Sequence, residues 1–253
     1  MAVNNNIEKL FVLLLKVSIG MQACLSHTPS AEEWGELYAI AKKQSLVGIC
    51  FADVQKLQMQ EQCPPEMLYL QWMGMAAKIQ QRNEVVNRQC VELQTRLSED
   101  GFRSCILKGQ GVAALYRVDL NGLSVNSSNT SNFSNSTNLS MLRQPGDIDI
   151  WIEGGLEGTL RLADKLGQKA DVTEQHVHLD LFSDTDVEGH YVPTRVMNPI
   201  VDRKLQRWIE SLQVQQFANR DLKGWCTPTA EFNLVYLLVH MYRHLFHEGE
   251  GLR

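Results

Sequence analysis

Apolar side chains at Ile7, Leu10, Phe11 and Leu14 follow the i, i+3, i+4, i+7 spacing of one helix face, predicting an amphipathic helix over 5–20. Ser30-Ala31-Glu32-Glu33 has the form of a capping box, and the helix it opens carries Trp34, Leu37, Tyr38 and Ala41 on one side. The same period predicts a third helix from Val47 to Leu57. Pro64-Pro65-Glu66 then restarts the chain, since Pro fits a first helical turn. From there to Leu97 no Pro intervenes. Trp72, Met75, Ala76, Ile79, Val86, Cys90, Leu93 and Leu97 mark the buried stripe of one long helix. Residues 1–99 therefore read as an N-terminal helical region.

The period changes after Asp100-Gly101. Phe102 to Leu107 is short, apolar and bounded by turns, which predicts a strand. Lys108-Gly109-Gln110-Gly111 follows, and Val112 to Tyr116 reads as a helix. Strand, glycine turn and helix start form a common anion-binding order, because glycine lets the backbone approach closely and free N–H groups face the anion. A plain tight turn is the competing reading, and the segment lacks the longer G-K-[ST] loop of a P-loop. Residues 121–140 are an Asn/Ser tract with N-x-[ST] triplets beginning at Asn126, Asn129, Asn132, Asn135 and Asn138. No signal-peptide pattern precedes it, so the expectation is an exposed, mobile low-complexity insertion.

Arg143-Gln144-Pro145-Gly146-Asp147-Ile148-Asp149-Ile150-Trp151-Ile152 is a Pro-Gly turn leading into an apolar strand. Alternate residues of a strand share a face, so Asp147 and Asp149 project together while Ile148 and Ile150 turn to a core. Two neighbouring carboxylates repel, and a hard divalent cation such as Mg²⁺ or Mn²⁺ is a usual neutraliser. A helix over 156–167 follows, closed by Gly167. Two alternating segments then predict an antiparallel pair: 177–181, and 186–192 with Glu188 and His190 on one face. Helical patterns return over 196–253, with Pro199 and Pro228 near helix starts. His240, Arg243, His244 and His247 form an i, i+3, i+4, i+7 face. H-x-x-x-H permits zinc, but this stretch lacks the Glu of a metalloprotease.

Composition narrows the field. The 253 residues are 44% hydrophobic, enough for a substantial core, and the net charge of −5 argues against DNA binding through bulk positive charge. Six scattered cysteines include no C-x-x-C pair, which fits free thiols in a reducing cytoplasm better than a disulfide framework. The 11–15 apolar run is too short for a membrane span. The expectation is a cytoplasmic protein without membrane association.

The ordered set Leu107-Lys108-Gly109, Arg143 to Asp149, and Val187-Glu188-Gly189-His190-Tyr191 resembles an uncharacterised bacterial nucleotidyltransferase family of the DNA polymerase β-like superfamily. His240 to Phe246 and Gly249 to Arg253 resemble that family's C-terminal helical section. The resemblance covers 100–253. It implies an α+β fold: a small mixed β-sheet core over 100–195, with the insertion at 121–140, flanked by the helical regions 1–99 and 196–253. Two departures stand out. The Asn/Ser tract lengthens a connection that is usually shorter, and the sequence stops at Arg253 where relatives continue, as a truncated product would.

What the resemblance implies is transfer of NMP from an NTP to a hydroxyl on a small molecule, protein or RNA. Asp147, Asp149 and Glu188 would be catalytic and hold Mg²⁺ or Mn²⁺; Asp180 is the rival third carboxylate. Lys108, Gly109, Arg143, His190, His240 and Arg243 would contact the nucleotide. Two alternatives remain at this stage. One is an inactive descendant that binds nucleotide or a partner protein. The other is an Asp/His metal hydrolase.

Overall fold

The computed structural model describes residues 4–116, 139–220 and 224–248. It is α+β: helices flank one five-stranded mixed sheet. Contacts divide it into two compact units, 1–84 with 115–144, and 85–114 with 145–253.

The first unit is helical. It holds α1 (Asn4–Ser18), α2 (Ala31–Lys43), α3 (Val47–Gln58) and the first half of α4 (Glu66–Glu99). The capping box forms as read: Ser30 Oγ accepts from the Glu33 amide, and the Glu33 carboxylate accepts from the Ser30 amide at 2.8 Å. Trp34, Leu37, Tyr38 and Ala41 are buried. Trp72 stands edge-on to Trp34 with centroids 6.3 Å apart, and its indole N–H donates to the Val47 carbonyl at 2.8 Å. Asp53 is buried in this core, where it accepts from Ser18 and pairs with Lys56 at 3.5 Å.

The Asn/Ser tract lies mostly outside the described residues, but its end does not match the expected exposure. Leu139 and Ser140 are buried in the short α6 (Leu139–Leu142). A Cβ on Gly48 would meet the Leu142 carbonyl oxygen at 2.1 Å, so α3 and α6 touch backbone to backbone. Asn83 Nδ2 donates to the Met141 and Arg143 carbonyls at 2.9 and 2.7 Å. Two apolar leucines and these carbonyl partners hold residues 139–143 in the helical unit.

The second unit contains the sheet. Its strands are β1 (Ser104–Ile106), β2 (Ile148–Ile152), β3 (Asp171–Val172), β4 (His176–Leu179) and β5 (Val187–His190), in the order β1-β2-β5-β4-β3. Among the described strands, only β2 and β5 run parallel. The expected β4/β5 antiparallel pair forms, whereas β3, two exposed residues long, carries no apolar signal to announce it. One face presents Ile106, Ile148, Ile150, Ile152, Val177, Leu179 and Val187 to Val86, Cys90, Leu93 and Leu97 of α4 and to Leu162 of α7 (Gly155–Lys165). Gly189 sits on this apolar face, where a Cβ would come within 3.0 Å of Ile152 Cδ1 and Leu179 Cδ1.

On the other face Trp151 is covered by Phe217 of α8 (Pro199–Ala218) and by Phe232 of α9 (Ala230–Arg243). Trp151, Phe232 and Trp208 stack nearly parallel, at centroid spacings of 5.8 and 5.2 Å. Pro199 occupies the first turn of α8 under an Asn198 cap. Thr229, directly after Pro228, caps α9.

The turn after β1 differs from the sequence expectation. Helix α5 (Lys108–Val112) starts at Lys108 itself and is kinked at Gly109, whose φ is 11°. A 3₁₀ turn, Ala113–Tyr116, continues it. Lys108 takes φ 37°, a conformation costly for a side chain with a Cβ. Gly111 is dictated by space, since a Cβ there would lie 2.2 Å from the Ile106 carbonyl oxygen.

Candidate active site

The register of the three central strands builds the site. Asp149 of β2 lies beside Glu188 of β5, which pairs with His178 of β4. One step along, Trp151 lies beside His190, which pairs with His176. Period-two alternation puts these side chains on the face away from α4 and α7. Asp147 precedes β2 and is exposed at its mouth.

Asp149 is buried and its Oδ1 takes two cationic partners: Lys108 Nζ at 2.6 Å and His190 Nε2 at 2.8 Å. His190 Nε2 is also 3.3 Å from Glu188 Oε2, and His190 Nδ1 is 3.3 Å from the Val192 carbonyl. Both ring nitrogens therefore face acceptors, which favours imidazolium. Burial lowers the proton affinity of His190, but the hydrogen bonds to Asp149 and Glu188 outweigh it and raise its pKa above the ordinary value. Burial works against the Asp149 charge too. The His190 hydrogen bond and the Lys108 charge overcome it and hold the carboxyl well below the usual range. Asp147 behaves oppositely: its surface is exposed, but the surrounding chain crowds its carboxylate and strips part of its water, and this, then the Asp149 and Glu188 charges, push its pKa up. Three carboxylates thus face two cations, and the group is short of positive charge.

One donor atom each from Asp149, Glu188 and His190 lies within 4.8 Å of the others. The Asp147 carboxylate joins no such cluster of three among the described residues. Asp180 falls just beyond β4, exposed, with its backbone bonded to Gln168 through N–H and C=O at 3.1 and 2.7 Å.

His240 on α9 is half-buried, and burial, with the Lys108 charge next, lowers its pKa to about 3, so its imidazole is neutral. His244 stacks edge-on against it at 4.2 Å, in a π-helical turn, His244–Glu248, that follows α9. His247 lies in that turn; its side chain falls outside the described residues. Arg243 lines a cleft of about 680 Å³ with Glu174, Arg195, Met197, Asp202 and Tyr242. Arg143 belongs to the helical unit, where its guanidinium donates to the Gln144 carbonyl at 2.8 Å.

Sequence reasoning missed three side chains here. His176 and His178 stand on the site's face of β4, alternating with Val177 and Leu179. That alternation was readable, but an outer polar face looks the same whether it meets water or a ligand. Tyr236 is the third. Its hydroxyl is buried without a hydrogen-bond partner among the described residues. Burial first, then the Asp149, Glu188 and Asp147 charges, raise its pKa well above the ordinary value, so it remains a phenol within reach of their field.

A strained lysine turn, a strand led by D-x-D, and a parallel neighbour carrying a third carboxylate together suit the handling of a polyphosphate and its cation. Residues 30–118 match the model of a family described as an uncharacterised nucleotidyltransferase. The matched stretch includes Lys108 and Gly109 and most of the helical unit, so the leading helices share in the family likeness that the motifs suggested for 100–253. It ends before Asp147, Asp149 and Glu188. No curated protein and no solved structure matches the chain. Among the described residues, no helix is long and apolar enough to cross a membrane.

Proposed function

We propose that this chain is a metal-dependent nucleotidyltransferase that moves NMP from an NTP to a hydroxyl of an acceptor. The observation that carries the reading is the side-by-side placement of Asp149 and Glu188 across the parallel β2/β5 pair, with Lys108 reaching Asp149 from the kinked turn. The nucleotidyltransferase match over 30–118 supports the general reaction.

The donor set suits Mg²⁺ or Mn²⁺. It is rich in carboxylate oxygen, and three carboxylates meet the two cations Lys108 and His190 there. Asp147, Asp149 and Glu188 would hold the ion, with His190 adjoining. Bound there, a divalent cation neutralises phosphate charge and makes a coordinated hydroxyl more acidic.

The chain's own groups supply the rest. Lys108, which pairs with Asp149 at 2.6 Å, would present its ammonium to the triphosphate oxygens. The backbone kink at Gly109 lets the chain approach them. Glu188 accepts the proton from the acceptor hydroxyl, whose oxygen bonds to the α-phosphorus as the bond to the leaving pyrophosphate breaks. His190, protonated on both nitrogens, orients Asp149 and Glu188 and is not the base. The cleft at Arg243 and Arg195 has the volume for the remaining part of the nucleotide or for the acceptor. His240, neutral, would hydrogen-bond the nucleotide without adding charge. Arg143 stays assigned to the nucleotide on its motif alone. A cytoplasmic site of action belongs to this proposal.

One observation favours the second reading, an inactive descendant that binds nucleotide or a partner: the Asp149 Oδ1 is already neutralised by Lys108 and His190. The two readings part on label transfer. The protein with each α-labelled NTP and Mg²⁺ or Mn²⁺ should release pyrophosphate and label an acceptor pool of small molecules, proteins and RNA. Asp149→Asn should lower turnover by about a thousandfold or more, because the electrostatic contribution is commonly the largest. NTP-dependent thermal stabilisation with no transfer to any acceptor would support the binding module, and no stabilisation by any NTP would sink the transferase and leave only a partner-binding descendant.

A further inference from the structure

The transfer chemistry uses one side of the histidine-bearing sheet face and leaves the other unexplained. His176 and His178, two apart on β4, both project beside Glu188. His176 Nδ1 is 3.3 Å from Glu188 Oε2, and His176 Nε2 is 3.4 Å from His178 Nε2. The imidazole planes are nearly perpendicular at 83°, with centroids 4.8 Å apart. One donor atom each from His176, His178 and Glu188 lies within 4.8 Å of the others. His178 is exposed, while His176 and Glu188 are half-buried, so an ion can enter from solvent onto a partly desolvated floor.

Two imidazoles and a carboxylate have a different preference from a cluster of carboxylates. Mg²⁺ binds oxygen and keeps its waters, while imidazole nitrogen favours Zn²⁺ and its neighbours in the first transition row. Zinc bonds of about 2.0–2.2 Å in a tetrahedron place ligand atoms about 3.3 Å apart. The 3.3 and 3.4 Å contacts engage opposite nitrogens of His176 and so are not two edges of one tetrahedron, but one donor atom from each of the three residues lies within 4.8 Å of the others, and side-chain rotation gathers them from there. A hydrogen-bonded imidazole pair accounts for the 3.4 Å distance, but not for the Glu188 carboxylate 3.3 Å from the other nitrogen of His176.

We propose that His176, His178 and Glu188 form a zinc-type transition-metal site that shares Glu188 with the acid pair and leaves a coordination position for water or substrate. Glu188 then stands between two cations of different character, an imidazole-bound one over β4 and an oxygen-bound one over β2. The site rests on strand register and side-chain chemistry and does not require nucleotidyl transfer.

Cobalt is the probe, since Co²⁺ replaces Zn²⁺ and low-coordinate nitrogen-bound Co²⁺ absorbs visibly. The full chain, purified without a histidine tag and stripped of metal, is titrated with Co²⁺ in excess Mg²⁺. One equivalent should produce a visible band that Zn²⁺ bleaches. His178→Ala, exposed and safe for folding, and His176→Ala should each weaken binding by about a hundredfold or abolish the band, at least matching the loss of a ligand's outer partner. Asp147→Asn should retain it. No saturable band in the wild type, or a band that survives both histidine substitutions in proteins with native circular dichroism, overturns the site. Loss of the band in Asp147→Asn, with the histidine variants unaffected, assigns the ion to the acid pair and overturns it as well.

Discussion

Lys108 Nζ and Asp149 Oδ1 are 2.6 Å apart although 41 residues separate them, and His190 shares the same oxygen at 2.8 Å. The two carboxylates of the D-x-D motif are therefore not equivalent. Asp149 neutralises two cations, while Asp147 stands in the field of its acidic neighbours.

Removing one charge or the other should accordingly change stability in opposite directions. In metal-free protein at pH 7, Asp147→Asn relieves repulsion and should leave the fold unchanged or more stable. Asp149→Asn deprives Lys108 and buried His190 of their counter-charge and should cost on the order of 3 kcal/mol, as breaking a buried pair does. Urea unfolding of both variants reads the contrast. Equal effects would show that the motif acts as a simple like-charge pair.

Ligand-induced stabilisation checks the same assignment from another side. With Mg²⁺ and NTP the wild type should gain thermal stability with ligand concentration, and Glu188→Gln should gain much less. Identical shifts in melting temperature would remove Glu188 from the binding site.

Asp53 predicts a pH dependence unrelated to the site. Burial raises its pKa to about 7, against the opposing Ser18 hydrogen bond and Lys56 charge. The folded state therefore holds a proton that the unfolded chain releases near pH 4. Stability from this group is fullest below about pH 4, declines as pH rises to about 7, and is level above, for an upper bound of about 4 kcal/mol. Asp53→Asn should flatten the decline between about pH 4 and 7 in urea midpoints. A slope unchanged by the substitution would mean that another group carries it.

Two glycines should respond oppositely to alanine. Gly111→Ala drives a Cβ into the Ile106 carbonyl and should destabilise by about 1–3 kcal/mol, as overpacking does. Gly74 lies inside α4 with nothing within 4 Å of an added Cβ, so Gly74→Ala should stabilise by about 0.5–1 kcal/mol. Thermal melts of the pair decide it.

Much of this architecture was readable because burial leaves a period. The stripe from Trp72 to Leu97 fixed α4, and the isoleucines between Asp147, Asp149 and Trp151 fixed β2 and which face carries Asp149. Periodicity could not reveal that α4 changes unit at Glu84/Val85, since the stripe continues unbroken across that point. Nor does spacing encode the bond from Lys108 to Asp149, which depends on how β1 and β2 pair. The start of α5 at Lys108 was hidden because glycine there signals a turn, and a kinked helical turn has the same composition. His176 and His178 looked like an ordinary wet edge until the register placed Glu188 between them and the acid pair.

Gly189 gives that register a physical lock. A slip of β5 by one residue would exchange its faces, carrying Glu188 and His190 into the apolar layer and Gly189 out of it. Only the glycine's missing side chain leaves room for Ile152 and Leu179 to close over the strand at that point. The charged groups above the sheet thus depend on a hydrogen atom beneath it: any larger residue at 189 would press on the isoleucine and leucine below and be registered above as a displaced carboxylate and imidazole, with the chemistry disturbed before the fold is lost.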